Sequence, residues 1–158
     1  KCKEAEAIIA AHPELTFMLG FMRRYDHSYQ VAKKKMENGD IGDVILVRCY
    51  SQDPISIIEG TLEYAPRSGG QFIDMSIHDF DLIRWLTGSE VKELWATGGC
   101  YEFKQYKDWD DGDNVSGLMK MENDAMPAAQ QHTALMLRPK SLVPAARCVS
   151  LPFRPTLS

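Results

Sequence analysis

Hydrophobic and polar positions in the first fifty residues switch twice from a helical spacing to a strand spacing. Residues 3 to 11 (KEAEAIIAA) combine strong helix formers with apolar positions at helical spacing, and residues 15 to 21 (LTFMLGF) predict a short buried strand. A second helix is predicted over 28 to 38 and a β-branched strand over 44 to 51, separated by the glycines of GDIGD. This order predicts an αβ unit that begins without its preceding strand, followed by a second helix that feeds a second strand.

The middle of the chain places a polar segment before an apolar helix. Residues 52 to 70 contain two prolines, several polar residues and Ser68-Gly69-Gly70, and they predict a long loop. Residues 69 to 88 (GGQFIDMSIHDFDLIRWLTG) predict one buried helix closed by Thr87-Gly88. Because loops of this length commonly serve a site, the helix that follows is the first place to search for chemistry.

Strand patterns dominate the next part of the chain. Residues 91 to 101 (VKELWATGGCY) and 115 to 121 (VSGLMKM) predict strands, with an acidic loop (KDWDDGDN) between them and a turn at 122 to 124. Strand follows strand here, which indicates an antiparallel sheet. From about residue 133 the sequence has four prolines, three arginines, no acidic residue and no clear period, so no element is predicted there.

Composition narrows the kind of partner and the compartment. The chain has 158 residues, enough for one domain or a piece of a two-domain protein, and its net charge of -4 gives no reason to expect nucleic acid or an anionic membrane. A small molecule is therefore the predicted partner. No apolar run approaches the ~20 residues that span a bilayer, and the first residues lack the regions of a secretory signal, so we expect a cytoplasmic protein. The four cysteines lie far apart without a CxxC pair, which predicts reduced thiols rather than a zinc site or a disulfide framework.

Polar residues form a stripe on the predicted helix of residues 69 to 88. At about 100° per residue, Asp74, His78, Asp81 and Trp85 fall on one side, with apolar residues to the left and right. Such a stripe is not expected to face bulk water, and a buried carboxylate or imidazole costs several kcal/mol unless something pairs with it. The opposite side of the same helix holds Ser76, Asp79 and Ile83.

Three interpretations of the stripe are open. Asp74 and His78, at i and i+4, could satisfy each other and fix the packing of a core helix. They could instead form an acid/base dyad, because imidazole exchanges a proton near neutral pH and an adjacent carboxylate orients the ring; such a dyad suits oxidation of an alcohol. Metal ligation by His78 with Asp74 or Asp81 is the least favoured, since no second histidine lies at ligand spacing, and the acidic loop KDWDDGDN is interpreted as solvated rather than metal-binding.

Four segments together resemble the Gfo/Idh/MocA oxidoreductase family, within it most closely the inositol 2-dehydrogenases. They are GFMRRYD (20 to 26), ENGDIGDVILVRCYSQDP (37 to 54), SGGQFIDMSIHDFDLIRWLTGSEV (68 to 91) and DGDNVSGLMKMENDAM (111 to 126). The resemblance covers residues 1 to about 133 in order. It implies a Rossmann domain that holds NAD or NADP, and a C-terminal α+β domain whose open antiparallel sheet, with helices on one face, takes part in a homo-oligomer.

The resemblance also implies roles for individual residues. Asp74 and His78 match the family's DxxxH pattern, in which the histidine accepts a proton as hydride leaves the substrate carbon. Met22, Arg23 and Asp53 match positions that line the substrate of inositol dehydrogenases. Simpler roles stay open for two of them: Arg23 could pair with Asp26, and Asp53 could cap the loop before Pro54.

Two parts of the family pattern are not found in this chain. The Glu-Lys-Pro motif, whose lysine completes the catalytic set, and the glycine-rich βαβ unit would both precede Lys1, so residues 1 to 21 are interpreted as the last helix and strand of the Rossmann domain, and residues 22 to 133 as the substrate and oligomerisation domain. By itself the chain is therefore expected to lack dehydrogenase activity. Without the later strands of its sheet, it is also expected to expose an edge at VSGLMKM.

The tail has its own hypothesis. Permitted codons for Leu135 to Leu157, read two bases later, spell text that resembles the family's continuation, so residues 134 to 158 are interpreted as out of frame.

Three functions remain compatible with these observations. The first is part of a nicotinamide-dependent dehydrogenase that oxidises a ring hydroxyl of an inositol or related polyol. The second is a non-catalytic oligomerisation module. The third is a family member that acts on another sugar, such as an anhydrofructose reductase or a glucose-fructose oxidoreductase. The sequence does not separate NAD from NADP, because the residue that reads the ribose is not in it.

Overall fold

The computed structural model describes residues 2–132, which form four strands and five α-helices. The helices are α1 (Cys2–Ala11), α2 (His27–Glu37), α3 (Ile58–Ser68), α4 (Gln71–Asp74) and α5 (Ser76–Thr87). The strands are β1 (Arg48–Gln52), β2 (Val91–Gly99), β3 (Asn114–Met121) and β4 (Ala128–His132), and short 3-10 helices span Met22–Tyr25, Ile55–Ile57 and Lys104–Trp109. The hypothesis about residues 134 to 158 lies outside the described residues.

The four strands form one mixed sheet in the order β1-β4-β3-β2. Strand β3 pairs in antiparallel fashion with β2 and with β4, whereas β1 pairs with β4 in parallel. The predicted α+β fold with helices on one face is confirmed, but the sheet is not wholly antiparallel because the returning strand β4 lies between β1 and β3.

One face of the sheet is covered and the other is open. Alternate residues of β3 (Met119, Met121) and β4 (Ala129) are buried against α5, where Leu82 and Ile83 complete the core. The residues between them on the open face stay exposed, as Leu118 shows. The period of two along β3 therefore separates a core face from an unpacked face, as expected for a half-buried sheet.

The helix of residues 69 to 88 is broken, which corrects the prediction of a single helix. It divides at Met75 into α4 and α5, so Asp74 and His78 belong to different helices. The face opposite the polar stripe is the most buried one: Ser76, Asp79 and Ile83 are each 0% exposed. The apolar character of both flanks concealed which side of the helix packs on the sheet.

Several other predictions need correction. The predicted long loop at 52–70 holds α3, although Gly60 and Pro66 lie inside that helix. Residues 15 to 21 form no strand, since no neighbouring strand lies beside them within residues 2–132, and the strand expected over 44–51 begins at Arg48. The strand β4 was not predicted, and it makes VSGLMKM a central strand rather than the exposed edge.

The remaining predicted elements agree with the structure. Helices α1 and α2 are confirmed, and α2 begins at an Asp26 side chain that accepts a hydrogen bond from the backbone N–H of Ser28. Strands β2 and β3 are confirmed as an antiparallel pair. Helix α1 has no buried residue. Among residues 2–132, no helix combines the length and the apolar character that crossing a membrane requires.

Cys2, Cys49 and Cys100 are free thiols. Burial, with a further contribution from the nearby Asp79 carboxylate, raises the pKa of the Cys49 thiol to about 11. A thiol with so high a pKa stays protonated and unreactive at neutral pH.

Candidate active site

A cavity of about 450 Å³ brings together the five residues that the sequence selected. Met22 and Arg23 enter it from the 3-10 helix Met22–Tyr25, Asp53 from the segment after β1, and Asp74 and His78 from the two sides of the helix break. The rest of the wall is formed by Tyr50, Ser51, Gln52 and Met75. The residues of this wall are up to 56 positions apart in the chain, so the fold and not the local sequence builds the cavity.

His78 is held in place by packing rather than by a hydrogen bond to its neighbour. Its Nδ1 atom is buried and has no hydrogen-bond partner among the described residues. The ring meets Phe21 edge-on, with ring centroids 6.4 Å apart and an interplanar angle of 87°. No hydrogen bond joins Asp74 to the buried Nδ1 of His78, so the interpretation in which the two satisfy each other through that atom has no support in the described residues.

The Asp74 carboxyl feels the charge of His78 and the effect of its own burial. Burial raises the pKa of the Asp74 carboxyl above its ordinary value, while a hydrogen bond from Tyr64 and the nearby His78 oppose that rise. The Asp111 carboxylate adds to the rise. Tyr64, which the sequence did not select, is thus the hydrogen-bond partner of Asp74.

Asp53 lies close enough to Asp74 for the two carboxylates to repel each other. Burial raises the pKa of Asp53, and the charge of Asp74 raises it further. The alternative role of Asp53 as a cap is not supported, because the 3-10 helix that begins at Ile55 has no side-chain cap. The cavity therefore offers two partly desolvated carboxyl groups as hydrogen-bond acceptors.

Arg23 does not pair with Asp26, which instead caps α2. The Arg23 guanidinium donates from Nη1 to Oδ1 of Asp79 and from Nη2 to the Ser51 hydroxyl at 2.7 Å. The side chain is 23% exposed and lines the cavity, so one part of the guanidinium is anchored while another part faces the open space.

Asp79 is the centre of a buried polar network that the sequence did not reveal. Its carboxylate accepts from Arg23, from the Ser51 hydroxyl at 3.0 Å and from the Gln131 amide. The adjacent Arg24 makes a parallel contact, donating from Nε and Nη2 to both oxygens of Asp81 at 2.8 and 2.6 Å. Two consecutive arginines thus meet two aspartates that lie two residues apart. The presence of two short clusters of opposite charge was the signal in the sequence that could have indicated the pairing.

The acidic segment between β2 and β3 is built into the fold rather than solvated as predicted. The Asp113 side chain is 1% exposed and accepts hydrogen bonds from the backbone N–H groups of Tyr101, Glu102 and Phe103. Asp111 accepts from the backbone N–H of Gln71 at the start of α4, at 3.1 Å. Within residues 2–132, no group of three or more His, Cys, Asp or Glu side chains is placed to hold a metal ion.

The described residues thus form an α+β domain in which a histidine and two carboxylates line one cavity. Residues 29–134 match the model of the GFO/IDH/MocA C-terminal domain, and the chain belongs to that family.

Individual relatives are inositol dehydrogenases. An inositol 2-dehydrogenase of Rhizobium meliloti is 36% identical over 112 residues, which are 71% of this chain and 33% of that protein. The crystal structure of myo-inositol 2-dehydrogenase from Lactobacillus plantarum superposes with a TM-score of 0.78 at 39% identity, covering 84% of this chain and 40% of that one. Scyllo-inositol dehydrogenase from Lactobacillus casei, solved with NAD(H) and scyllo-inositol, gives a TM-score of 0.73 at 38% identity, again over 84% of this chain and 40% of the other. The chain spans about a third of the length of the curated relatives it matches.

Proposed function

We propose that the protein containing this chain is a nicotinamide-dependent dehydrogenase that oxidises a ring hydroxyl of an inositol or a closely related polyol. The observation that carries the proposal is the single cavity that collects His78, Asp74, Arg23, Met22 and Asp53. Relatives at 36–39% identity that are inositol dehydrogenases support the same substrate class.

His78 is the proton acceptor in this proposal. A ring nitrogen takes the proton of the substrate hydroxyl as the carbon is oxidised, and the Asp74 carboxylate stabilises the imidazolium by charge. Phe21 holds the ring plane from the side, so the imidazole is oriented although its Nδ1 has no hydrogen bond in the described residues. The buried surroundings strengthen the attraction between the two groups.

The other three residues bind the ring of the substrate. The Arg23 guanidinium donates to a hydroxyl oxygen, and the Asp53 carboxylate accepts from a hydroxyl, because a polyol presents both donors and acceptors around its ring. Met22 supplies an apolar surface to the C–H face of the ring. A bound NAD or NADP would supply the acceptor for the hydride.

The test uses the full-length protein with NAD or NADP and a panel of cyclitols and sugars. We expect absorbance at the reduced-nicotinamide band to grow with myo-inositol or another inositol, and His78→Asn to lower kcat by about 10² to 10⁴-fold. His27→Asn, an exposed histidine outside the cavity, is the matched control and is expected to keep wild-type activity. If the absorbance rises only with a non-cyclitol sugar, the protein is one of the family members that act on another sugar. If the absorbance rises with none of the compounds, the proposal is overturned.

A second function is favoured by the open face of the sheet. Tyr50, Trp95 and Leu118 lie on that face and are 60%, 50% and 40% exposed. A groove of about 290 Å³ runs between Trp95, Leu118 and Ala128. Exposed apolar patches of this kind mark contact surfaces, and we propose that a second copy of the same chain covers this one, so that the domain also mediates homo-oligomerisation.

Sedimentation of the full-length protein tests the second function. We expect a discrete dimer or tetramer that Leu118→Lys shifts to smaller species, because a buried lysine without a partner is costly. Val31→Lys makes the same change at a 42% exposed residue of α2 and is expected to leave the assembly intact. A wild-type monomer, or an assembly unaffected by Leu118→Lys, would contradict this proposal.

A further inference from the structure

Asp79 is a fully buried carboxylate, 0% exposed, that lies beside the candidate site but does not line its cavity. A buried carboxylate is strongly unfavourable unless charged or hydrogen-bonded partners compensate it. Asp79 has three such partners, on three different elements: Arg23 on the 3-10 helix, Ser51 on β1 and Gln131 on β4. Three partners for one buried carboxylate suggest that Asp79 has a role beyond the packing of α5.

Arg23 is the only one of these three partners that both carries a charge and lines the cavity. Asp79 and Ser51 hold it at two different nitrogens, and Ser51 in turn donates to Asp79, which closes a triangle of hydrogen bonds. A guanidinium has a rigid fork of donors, so fixing two of its nitrogens fixes the direction of the remaining N–H groups.

The neighbouring pair shows that anchoring the backbone does not require Asp79. Arg24 binds both oxygens of Asp81 and lies 6.0 Å from the centre of the Trp85 ring, which ties the same 3-10 helix to the same α5. Neither Arg24 nor Asp81 lines the cavity. The consequence that belongs to Asp79 alone is therefore the place and the charge balance of the Arg23 guanidinium.

We propose that Asp79 is a positioning residue for substrate recognition: it neutralises Arg23 and holds its guanidinium at the cavity wall, ready to donate to a hydroxyl of the polyol. Asp79 touches neither substrate nor cofactor in this scheme and acts through Arg23. The inference rests on the proposed function for the identity of the ligand. The dependence of the Arg23 position on Asp79 is independent of the proposed function.

The first experiment compares Asp79→Asn and Asp81→Asn in the full-length enzyme. Asp79→Asn keeps the shape of the side chain. The Gln131 Oε1 atom has no hydrogen-bond partner among residues 2–132, so it can accept from the new amide when the Gln131 amide turns over. The main change is therefore the loss of charge. We expect the KM for the polyol to rise about tenfold or more, with kcat within about threefold and the KM for the cofactor unchanged. Asp81→Asn removes the parallel pair and is expected to lower the melting temperature without changing the KM for the polyol.

A double-mutant cycle with Arg23→Lys separates positioning from a general structural role. If Asp79 acts through Arg23, Asp79→Asn adds little to the KM of an enzyme that already carries Arg23→Lys. Should Asp79→Asn not fold, Ser51→Ala is measured in its place, since it removes the other bond to Arg23 and is expected to raise the KM for the polyol about threefold. An unchanged KM in the folded variant, or fully additive effects in the cycle, would overturn the inference.

A spectroscopic measurement keeps this inference distinct from the proposed function. In ¹⁵N NMR of the full-length protein, rotation about the Nε–Cζ bond of Arg23 is expected to be slow in the wild type and fast in Asp79→Asn, while Arg24 stays slow. If the wild type oxidises no polyol, the proposed function fails, and this measurement alone then decides whether Asp79 holds Arg23. Fast rotation of Arg23 already in the wild type would overturn the positioning role.

Discussion

Single residues in this domain show how buried charge is stabilised by what surrounds it. Asp113 lies almost completely buried between β2 and β3, and burial by itself raises the pKa of its carboxyl. Hydrogen bonds from the backbone N–H groups of Tyr101, Phe103 and Glu102 and from the Asn114 side chain outweigh that effect, so the pKa lies below its ordinary value. The carboxylate thus organises the turn after β2 in its charged form.

The direction of that pKa shift predicts how stability depends on pH. Because the folded state holds the carboxyl at a lower pKa than the unfolded chain, the stabilisation is present above about pH 4 and is lost as the pH falls through the folded-state value. We expect Asp113→Asn to lower the free energy of unfolding at pH 7 by about 1–3 kcal/mol, and the gap to the wild type to narrow below pH 4. Denaturant unfolding between pH 7 and pH 2.5 measures both. The exposed Asp108→Asn is the control, and a gap that stays constant over this range would contradict the account.

At the scale of elements, the candidate site depends on the turn at Gly69 and Gly70, which joins α3 to α4. Gly69 and Gly70 both have positive φ, and Gly70 combines φ 92° with ψ 161°, a conformation that other residues avoid. The Gly70 carbonyl accepts a hydrogen bond from the backbone N–H of Asp74, and the Asp111 carboxylate accepts one from the backbone N–H of Gln71. The backbone conformation of these two glycines therefore fixes the position of Asp74 in the cavity wall.

Gly70→Ala tests this dependence. The substitution forces a Cβ into a strained conformation and brings it to 3.4 Å from the Asp111 carboxylate, so we expect a loss of about 1–3 kcal/mol in the free energy of unfolding. Gly60→Ala in α3 meets nothing within 4 Å and is expected to gain roughly 0.5–1 kcal/mol, because alanine favours the helix. Chemical denaturation of both variants beside the wild type gives the comparison. Equal effects of the two substitutions would show that Gly70 is not conformationally special.

The sequence predicted elements whose signals are local and failed where tertiary contacts decide. The periods of α2, β2 and β3 were sufficient to place them, since each follows one spacing over its length. Helix α3 was missed because Gly60 and Pro66 contradict its pattern. The residues of the cavity were found through a family resemblance, whereas Asp79 was given no role because only the neighbouring sheet defines which side of the helix is inside.

At the scale of the whole described domain, one helix links the core to the site. Helix α5 covers the sheet with Leu82, Ile83 and Leu86 and, on the same short stretch, presents His78 to the cavity and Asp79 to Arg23. A small change in how α5 packs on the sheet therefore moves the proposed proton acceptor and its surroundings together. This coupling explains why the face that carries Asp79 is packed so tightly.

Ile83 is the residue through which that coupling is tested. Its side chain is 0% exposed between α5 and the sheet, so Ile83→Ala leaves a cavity that the surrounding strands cannot fill, and we expect a loss of about 2–5 kcal/mol in the free energy of unfolding. Ile77→Ala is the matched control on the same helix; Ile77 is 38% exposed, and a loss below about 1 kcal/mol is expected. Urea denaturation of the two variants measures the difference. Were Ile77 the more costly position, the helix would pack by the opposite face, and both the core and the Asp79 network described above would be misplaced.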